Sequence, residues 1–226
     1  MNKIIKRIIS SNRYIFKNKL CIETFGNTSE KYKNNIYIKP SGIHYNKLNL
    51  KNISIVDIKT NKLSKGLKPS VDIDIHKQIY ENFGSINAIC HTHSKYACIW
   101  AQSGKPIPCL GTTHADYWKT EIPITRELSK KEVENNYEKS IGISITDLFT
   151  KNNFNISECP GVLVNGHGSF TWGKDSNEAS KKAYILEHLA ELAFKTRMLN
   201  NDIKLKKYLI DKHFNRKHGK KKYYGQ

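Results

Sequence analysis

The chain has 226 residues, 38% of them apolar and 26% charged, with 38 Lys and Arg against 20 Asp and Glu and a formal net charge of +18. That length holds one full α/β core, and the apolar residues come in blocks, which excludes an intrinsically disordered chain. The positive excess is nearly all lysine, scattered from Lys3 to Lys222, while arginine is scarce. It therefore reads as surface composition and not as a specific nucleic-acid footprint, although it still draws anionic metabolites toward the protein.

The start, MNKIIKRIIS, opens a basic amphipathic helix over roughly residues 2–18. It lacks the apolar core of a signal peptide, and no run reaches membrane-spanning length, so a cytoplasmic protein without a membrane partner is predicted. NIYIKPSGI alternates apolar and polar residues and stops at Pro40-Ser41-Gly42, the pattern of a strand entering a tight turn. NISIVDIKT is a second alternating strand. PSVDIDIHKQIYENF predicts a helix starting near Ser70, with Asp72 and Asp74 in its first turn. INAIC and GVLVN are short buried strands, and SKKEVENNYEK opens with the capping box Ser129–Glu132. A long helix over about 177–200 carries an apolar stripe at Ala179, Ala183, Leu186, Leu189, Ala190 and Phe194, capped by Asp175 or Ser176. GTTHADYW lacks helical periodicity, and the closing DKHFNRKHGKKKYYGQ is too polar and basic for a core element. Together these elements predict one α/β domain whose mainly antiparallel sheet is covered by helices.

The chemistry concentrates in a few segments. His91 and His93 directly follow the apolar run 86–90. Side chains at i and i+2 of a strand share a face, so both imidazoles can reach one ion. His167 lies between two glycines at the end of another apolar run. Three neutral imidazoles with an open position make a catalytic divalent-metal site, with zinc the first choice. Asp72 either adds a carboxylate or orients a ligand histidine from behind. Three loops offer donors to an anion: FGNTS with Gly26 and Asn27, KPSG with Lys39, Ser41 and Gly42, and PSVD with Ser70 and Val71. Each loop taken alone equally fits an ordinary turn. In GTTHADYW, Asp116 stands beside Thr112 and Thr113, as a turn former or as a proton carrier. Tyr223-Tyr224 belongs either to a disordered tail or to one that closes over a site. The five cysteines (Cys21, Cys90, Cys98, Cys109, Cys159) contain no CxxC pair, which excludes a cysteine-type zinc site and points to reduced thiols.

The segments GNTS, KPSG, HTHS, WAQSG, GTTHADY, PGVLVNGHG and the end DKH…RKHG…YYGQ closely resemble the L-ribulose-5-phosphate 4-epimerase family of the class II aldolase superfamily. The resemblance runs from Gly26 to Gln226. GTTHADY and YYGQ are its most specific parts, separating the epimerases from the sugar-phosphate aldolases that share the His-x-His site.

The resemblance implies a single domain over 1–226, a central antiparallel sheet between helix layers, and a homotetramer with active sites at subunit interfaces. It implies that the tail, about 211–226, contributes to such an interface site. It places zinc, or another divalent ion, on Asp72, His91, His93 and His167. The substrate phosphate falls on Gly26, Asn27, Ser41, Gly42, Ser70 and Val71. The acid/base pair falls on Asp116 and, from the adjacent subunit, Tyr224, and Glu138 and His213 match further positions near the site. The implied reaction is epimerisation of L-ribulose 5-phosphate to D-xylulose 5-phosphate at C4 by retro-aldol cleavage and re-addition, in pentose catabolism of the L-arabinose type. Alternatives on the same residues are a class II aldolase that releases its aldehyde and a non-catalytic homologue. Three positions depart from the family pattern: Val71 for a serine, Asn165 for a histidine and Phe25 for a tryptophan. The first removes one hydroxyl donor to the phosphate, and none removes a metal ligand or proton carrier.

Overall fold

The computed structural model describes residues 2–224; Met1, Gly225 and Gln226, the last two being the end of the YYGQ motif, lie outside the described residues. Helix α1 (Asn2–Lys17) forms because Ile4, Ile5, Ile8 and Ile15 fall on one face at helical spacing, and all four are buried. Burial of each such side chain stabilises the fold by about 1.5–3 kcal/mol relative to exposure, which is enough to hold a helix whose other face is strongly basic.

The sheet comprises β1 (Asn27–Tyr32), β2 (Asn35–Ile38), β3 (Ser54–Asp57), β4 (Leu63–Lys65), β5 (Ala88–Thr92), β6 (Gly161–Val164) and β7 (Gly168–Gly173), in the spatial order β4-β3-β2-β1-β5-β7-β6. Every neighbouring pair is antiparallel. On β5 the two-residue period sorts side chains between two cores. Ala88 and Cys90 join the α1 isoleucines and Ala179 and Ala183 of α6 (Ser176–Leu199). Ile89 joins Ile75 and Ile79 of α2 (Ile73–Asn82) and Ile141, Ile145 and Phe149 of α5 (Lys130–Lys151). The expected sheet between helix layers is therefore present, and the face under α2 and α5 carries the histidines.

Central strand β1 has almost no apolar side chain, yet its first four residues are buried. Its polar groups are satisfied by distant partners. Thr28 meets Ser11 and Asn12, Ser29 meets His76 and Tyr80, and Glu30 takes Arg7 and the Ser176 hydroxyl. Buried polar groups are tolerated only when bonded in this way.

Three elements differ from the sequence expectation. Helix α2 begins at Ile73 and not near Ser70, because Asp72 stands at its N-cap with its side chain engaged elsewhere. Part of GTTHADYW forms a single helical turn, α4 (Thr112–Ala115), too short to show a period. The polar end forms α7 (Lys207–His218), held by one buried side chain, Phe214, and by the Arg216–Asp116 ion pair with the His213–Asp116 contact in place of an apolar stripe. Its last turn carries Arg216, Lys217 and His218, which suits the negative end of the helix dipole. The capping box closes as its spacing predicts: the Ser129 hydroxyl accepts from the Glu132 N–H, and the Glu132 carboxylate accepts from the Ser129 N–H. Asp175, and not Ser176, caps α6. All five cysteines are unpaired, and among the described residues no helix is long and apolar enough to cross a membrane.

Candidate metal centre

His91 is the penultimate residue of the wholly buried strand β5, and His93 immediately follows the strand's end at Thr92. Their Nε2 atoms lie 3.0 Å apart, as the i, i+2 geometry requires. His167 sits in the turn between β6 and β7 and brings its Nε2 to 3.2 Å from that of His91. Two glycines make this turn possible for different reasons. Gly166 has φ +67°, and a Cβ on Gly168 would lie 2.6 Å from the Thr92 carbonyl oxygen. The turn thus lies directly against the strand segment that separates the other two histidines.

These residues fit a divalent ion. The His91 Nδ1–H donates to the Ser169 carbonyl at 3.0 Å, so its Nε2 carries the lone pair, and Phe170 stacks on the ring at 4.2 Å. One lone pair accepts from one neighbour only, whereas a cation between the three nitrogens satisfies them all. Metal–nitrogen bonds of about 2.0–2.1 Å place ligand nitrogens about 3.0–3.4 Å apart, which matches the observed separations. Burial keeps the rings in the neutral, ligating form: it pushes His91 well below the usual imidazole range, lowers His93, and brings His167 down to about 4. Among the described residues only His91, His93 and His167 form such a cluster.

Asp72 lies beside this group and outside it. Its Oδ2 accepts from Asn27 Nδ2 at 2.6 Å and from the Ser70 hydroxyl at 3.1 Å, linking two of the anion loops to the metal strand. Burial pushes its carboxyl toward the neutral form, yet it is held below its ordinary value, the Ser70 hydroxyl favouring the charged carboxylate. Gly26 has φ +76°, and a Cβ there would meet the His91 carbonyl oxygen at 2.8 Å. The first loop is consequently seated on the same strand.

The loops offer fewer backbone donors than the sequence implied. The Ser41 N–H is taken by the Lys68 carbonyl and the Ser70 N–H by that of Lys39, which ties the KPSG and PSVD loops together. The Asn27 and Ser70 side-chain donors are engaged with Asp72 and with each other, which leaves the Ser41 side chain and the turn at Gly42, where φ is +66°, to face an anion. Val71 is more than half exposed beside them. Lys39 does not point outward as a loop lysine. Its Nζ donates to the Thr24 carbonyl at 2.9 Å and lies 5.0 Å from the Tyr45 ring centre. Burial lowers its pKa to about 8, and the charge stands behind the Gly26 loop.

Asp116 is buried at the end of α4 and is held by the tail of its own chain. Arg216 grips both carboxylate oxygens (3.1 and 2.9 Å), His213 Nδ1 lies 3.2 Å from Oδ1, and His218 Nε2–H donates to the Asp116 carbonyl at 2.8 Å. Tyr224 then covers Arg216, with the guanidinium 4.4 Å from its ring centre. Asp116 and Tyr224, which the resemblance assigns to adjacent subunits, here lie on either side of Arg216 of their own chain, with His213 against Asp116. Thr112 starts α4 and accepts the Asp116 N–H through its carbonyl, and Glu138 lies half-buried on α5.

Residues 6–194 match the family described as "Class II Aldolase and Adducin N-terminal domain". The chain belongs to this family. Within it, the chain is 41% identical over 231 residues to the "Probable L-ribulose-5-phosphate 4-epimerase UlaF" of Mycoplasma pneumoniae, covering all of this chain and 96% of that protein. It is 37% identical over 229 residues to the L-ribulose-5-phosphate 4-epimerase UlaF of Salmonella paratyphi C, covering both completely. Among solved structures, an L-fuculose 1-phosphate aldolase superposes with a TM-score of 0.81 at 19% identity, covering 94% of this chain and 95% of that one. This last likeness is one of class II aldolase fold.

On this class II aldolase framework three further residues reach the site without a motif to announce them. In the sequence Arg216 reads only as one basic residue of the RKHG segment. Glu187 of α6 caps α3 (Lys95–Gln102), accepting from the Tyr96 and Ala97 N–H groups at 2.9 Å each, immediately after His93 and Ser94. The Tyr137 hydroxyl lies 3.3 Å from His167 Nδ1. Phe25 packs its ring 6.1 Å from that of His93. Asn165 donates its backbone N–H to the Thr125 hydroxyl.

Proposed function

We propose that the protein is a metal-dependent L-ribulose-5-phosphate 4-epimerase of pentose catabolism, forming D-xylulose 5-phosphate. The observation that carries this reading is end-to-end identity of 41% and 37% with two proteins named for that activity, on a chain whose three histidines converge on one point. Direct deprotonation at C4 is disfavoured, because no carbonyl adjoins that carbon. Cleavage of the C3–C4 bond avoids the problem, since the electrons pass toward the C2 carbonyl. A divalent ion on His91, His93 and His167, with zinc the fitting choice and Asp72 as a neighbouring carboxylate, supplies Lewis-acid stabilisation of the negative charge that develops on the ketose oxygens.

The chain's own residues do the rest. The Ser169 carbonyl fixes the His91 tautomer. Asn27, Ser41, Gly42, Ser70 and Val71, with Gly26 as the hinge of the first loop, hold the phosphate while the aldehyde end turns over. Asp116 and Tyr224 are the proton carriers: one removes the proton of the C4 hydroxyl as the bond breaks, and the other returns a proton to that oxygen after the turn. Arg216 binds the Asp116 carboxylate and underlies the Tyr224 ring of its own chain. In a homotetramer the Tyr224 that acts opposite Asp116 comes from the adjacent subunit, which completes the site at a subunit interface with Glu138 and His213 at its edge.

The test is turnover of L-ribulose 5-phosphate by the wild type and by Asp116→Asn and Tyr224→Phe. Each variant is expected to lose about 10²–10⁴-fold in rate, the usual worth of a positioned proton carrier, with metal content unchanged. Full activity of both variants contradicts the assignment. Free glycolaldehyde phosphate accumulating in place of D-xylulose 5-phosphate makes the protein an aldolase instead.

A further inference from the structure

We infer that Tyr137 is a positioning residue of the metal centre, its phenol oxygen accepting the Nδ1–H of His167 and thereby fixing the ring that presents Nε2 to a divalent cation. The inference rests on reading the three histidines as a metal site. A ligating imidazole almost always gives its other N–H to a partner that sets its tautomer and orientation. For His91 that partner is the Ser169 carbonyl, part of the strand neighbouring its own. His167 has no such strand support. It stands in a turn between Gly166, at φ +67°, and Gly168, so the backbone around it does little to orient its ring. Tyr137 supplies the missing restraint, with its hydroxyl 3.3 Å from Nδ1 and its ring edge-on to the imidazole at 71°. The distance is longer than the usual 2.9–3.0 Å for such bonds, and it is expected to shorten as His167 closes on an ion.

The placement of Tyr137 comes from the shape of α5. Asn136 has non-helical angles (φ −153°, ψ 63°), so the capped first turn at Ser129–Glu132 and the long buried segment run on different axes. Tyr137 is the first residue after this break. From there it falls on the same helical face as the buried Ile141, Ser144 and Ile145, by the i+4, i+7 and i+8 rule. The apolar stripe that fixes α5 to the sheet therefore also fixes the hydroxyl against His167. Tyr137 itself is 37% exposed, so its oxygen contributes little to the core.

The experiment compares wild type and Tyr137→Phe, which keeps the ring and removes only the hydroxyl. Both are stripped of metal, and Zn²⁺ and Co²⁺ affinities are measured by competition with a chromophoric chelator. The expected result is an affinity about 10–100-fold weaker in the variant. An altered visible spectrum of the Co²⁺ form is expected with it, while the metal-free melting temperature stays within about 2 °C. Equal affinities and equal Co²⁺ spectra overturn the inference and leave the metal site standing. A wild type that binds neither ion overturns the metal reading and the inference with it. A melting temperature that falls together with affinity assigns Tyr137 to the core and also overturns the inference.

Discussion

The two glycines that flank His167 make opposite demands, and replacing each by alanine separates geometry from stability. In Gly168→Ala the new Cβ starts 2.6 Å from the Thr92 carbonyl oxygen, whereas ordinary contact begins at 3.4 Å, so the turn must retreat by about 0.8 Å. The strand cannot yield instead. Thr92 is held in the β5–β7 ladder opposite Ser169, and its hydroxyl bonds that of Ser169 at 2.9 Å. His167 therefore moves away from His91, and metal sites tolerate only about 0.2 Å in ligand distance. Misplacement on this scale costs about 10²-fold in a positioned reaction, and overpacking costs about 1–3 kcal/mol in stability. Gly166→Ala meets nothing within 4 Å and suffers only the left-handed backbone at φ +67°, a cost of about 1–2 kcal/mol. Both variants should therefore melt lower by a similar amount, roughly 2–4 °C per kcal/mol for a chain of this size. Only Gly168→Ala should lose metal affinity and turnover. Measuring melting and zinc competition on both proteins decides the matter. Unchanged zinc affinity in Gly168→Ala, or equal loss in the two variants, refutes the argument that contact with Thr92 sets the position of His167.

Other consequences are as direct. Arg216→Met should release Asp116 and unseat Tyr224, lowering turnover about 10²-fold while bound metal stays at the wild-type level; normal turnover would show that the arginine is not needed to hold the pair. Glu187→Ala leaves the Tyr96 and Ala97 N–H groups without their acceptor, a loss of about 1–3 kcal/mol that calorimetry should register. His76 and His114 are buried and kept neutral, burial pushing each down to about 4, whereas an unfolded histidine titrates near 6.5. Between these values the unfolded chain binds more protons, so stability is full above pH 6.5 and falls as pH drops toward 4, by up to about 3 kcal/mol per group. Urea midpoints of the metal-free protein at pH 7 and pH 4.5 test this, and equal midpoints would contradict it.

The sequence reveals what local spacing controls. The His-x-His pair is legible because i and i+2 share a strand face, and the Ser129–Glu132 box and the α6 stripe follow equally local rules. The α6 stripe is buried at Ala179, Ala183, Leu186, Leu189 and Ala190. What escapes is burial arranged by partners far along the chain. The residues NTSEKY show no apolar alternation, yet they form a central strand because Arg7, Asn12, His76, Tyr80 and Ser176 satisfy them from other elements. The same holds in the site. No spacing links Asp116 to Arg216 or Tyr137 to His167, and Lys39 reads as a loop cation although it faces inward to Thr24 and Tyr45. Helix α2 starts at Ile73 and not near Ser70 for a related reason: Asp72, a fitting first-turn residue, has its carboxylate bound by Asn27 and Ser70.

The central claim is that three converging histidines hold an ion that makes C3–C4 cleavage reversible on a phosphate-anchored substrate. It is tested most directly by a coupled assay for D-xylulose 5-phosphate formation, run before chelation, after chelation and after zinc is restored, with metal content measured on the same samples. The account predicts turnover that falls with the metal and returns with it at about one ion per chain. Conversion that persists in metal-free protein, or none from fully loaded protein, contradicts it.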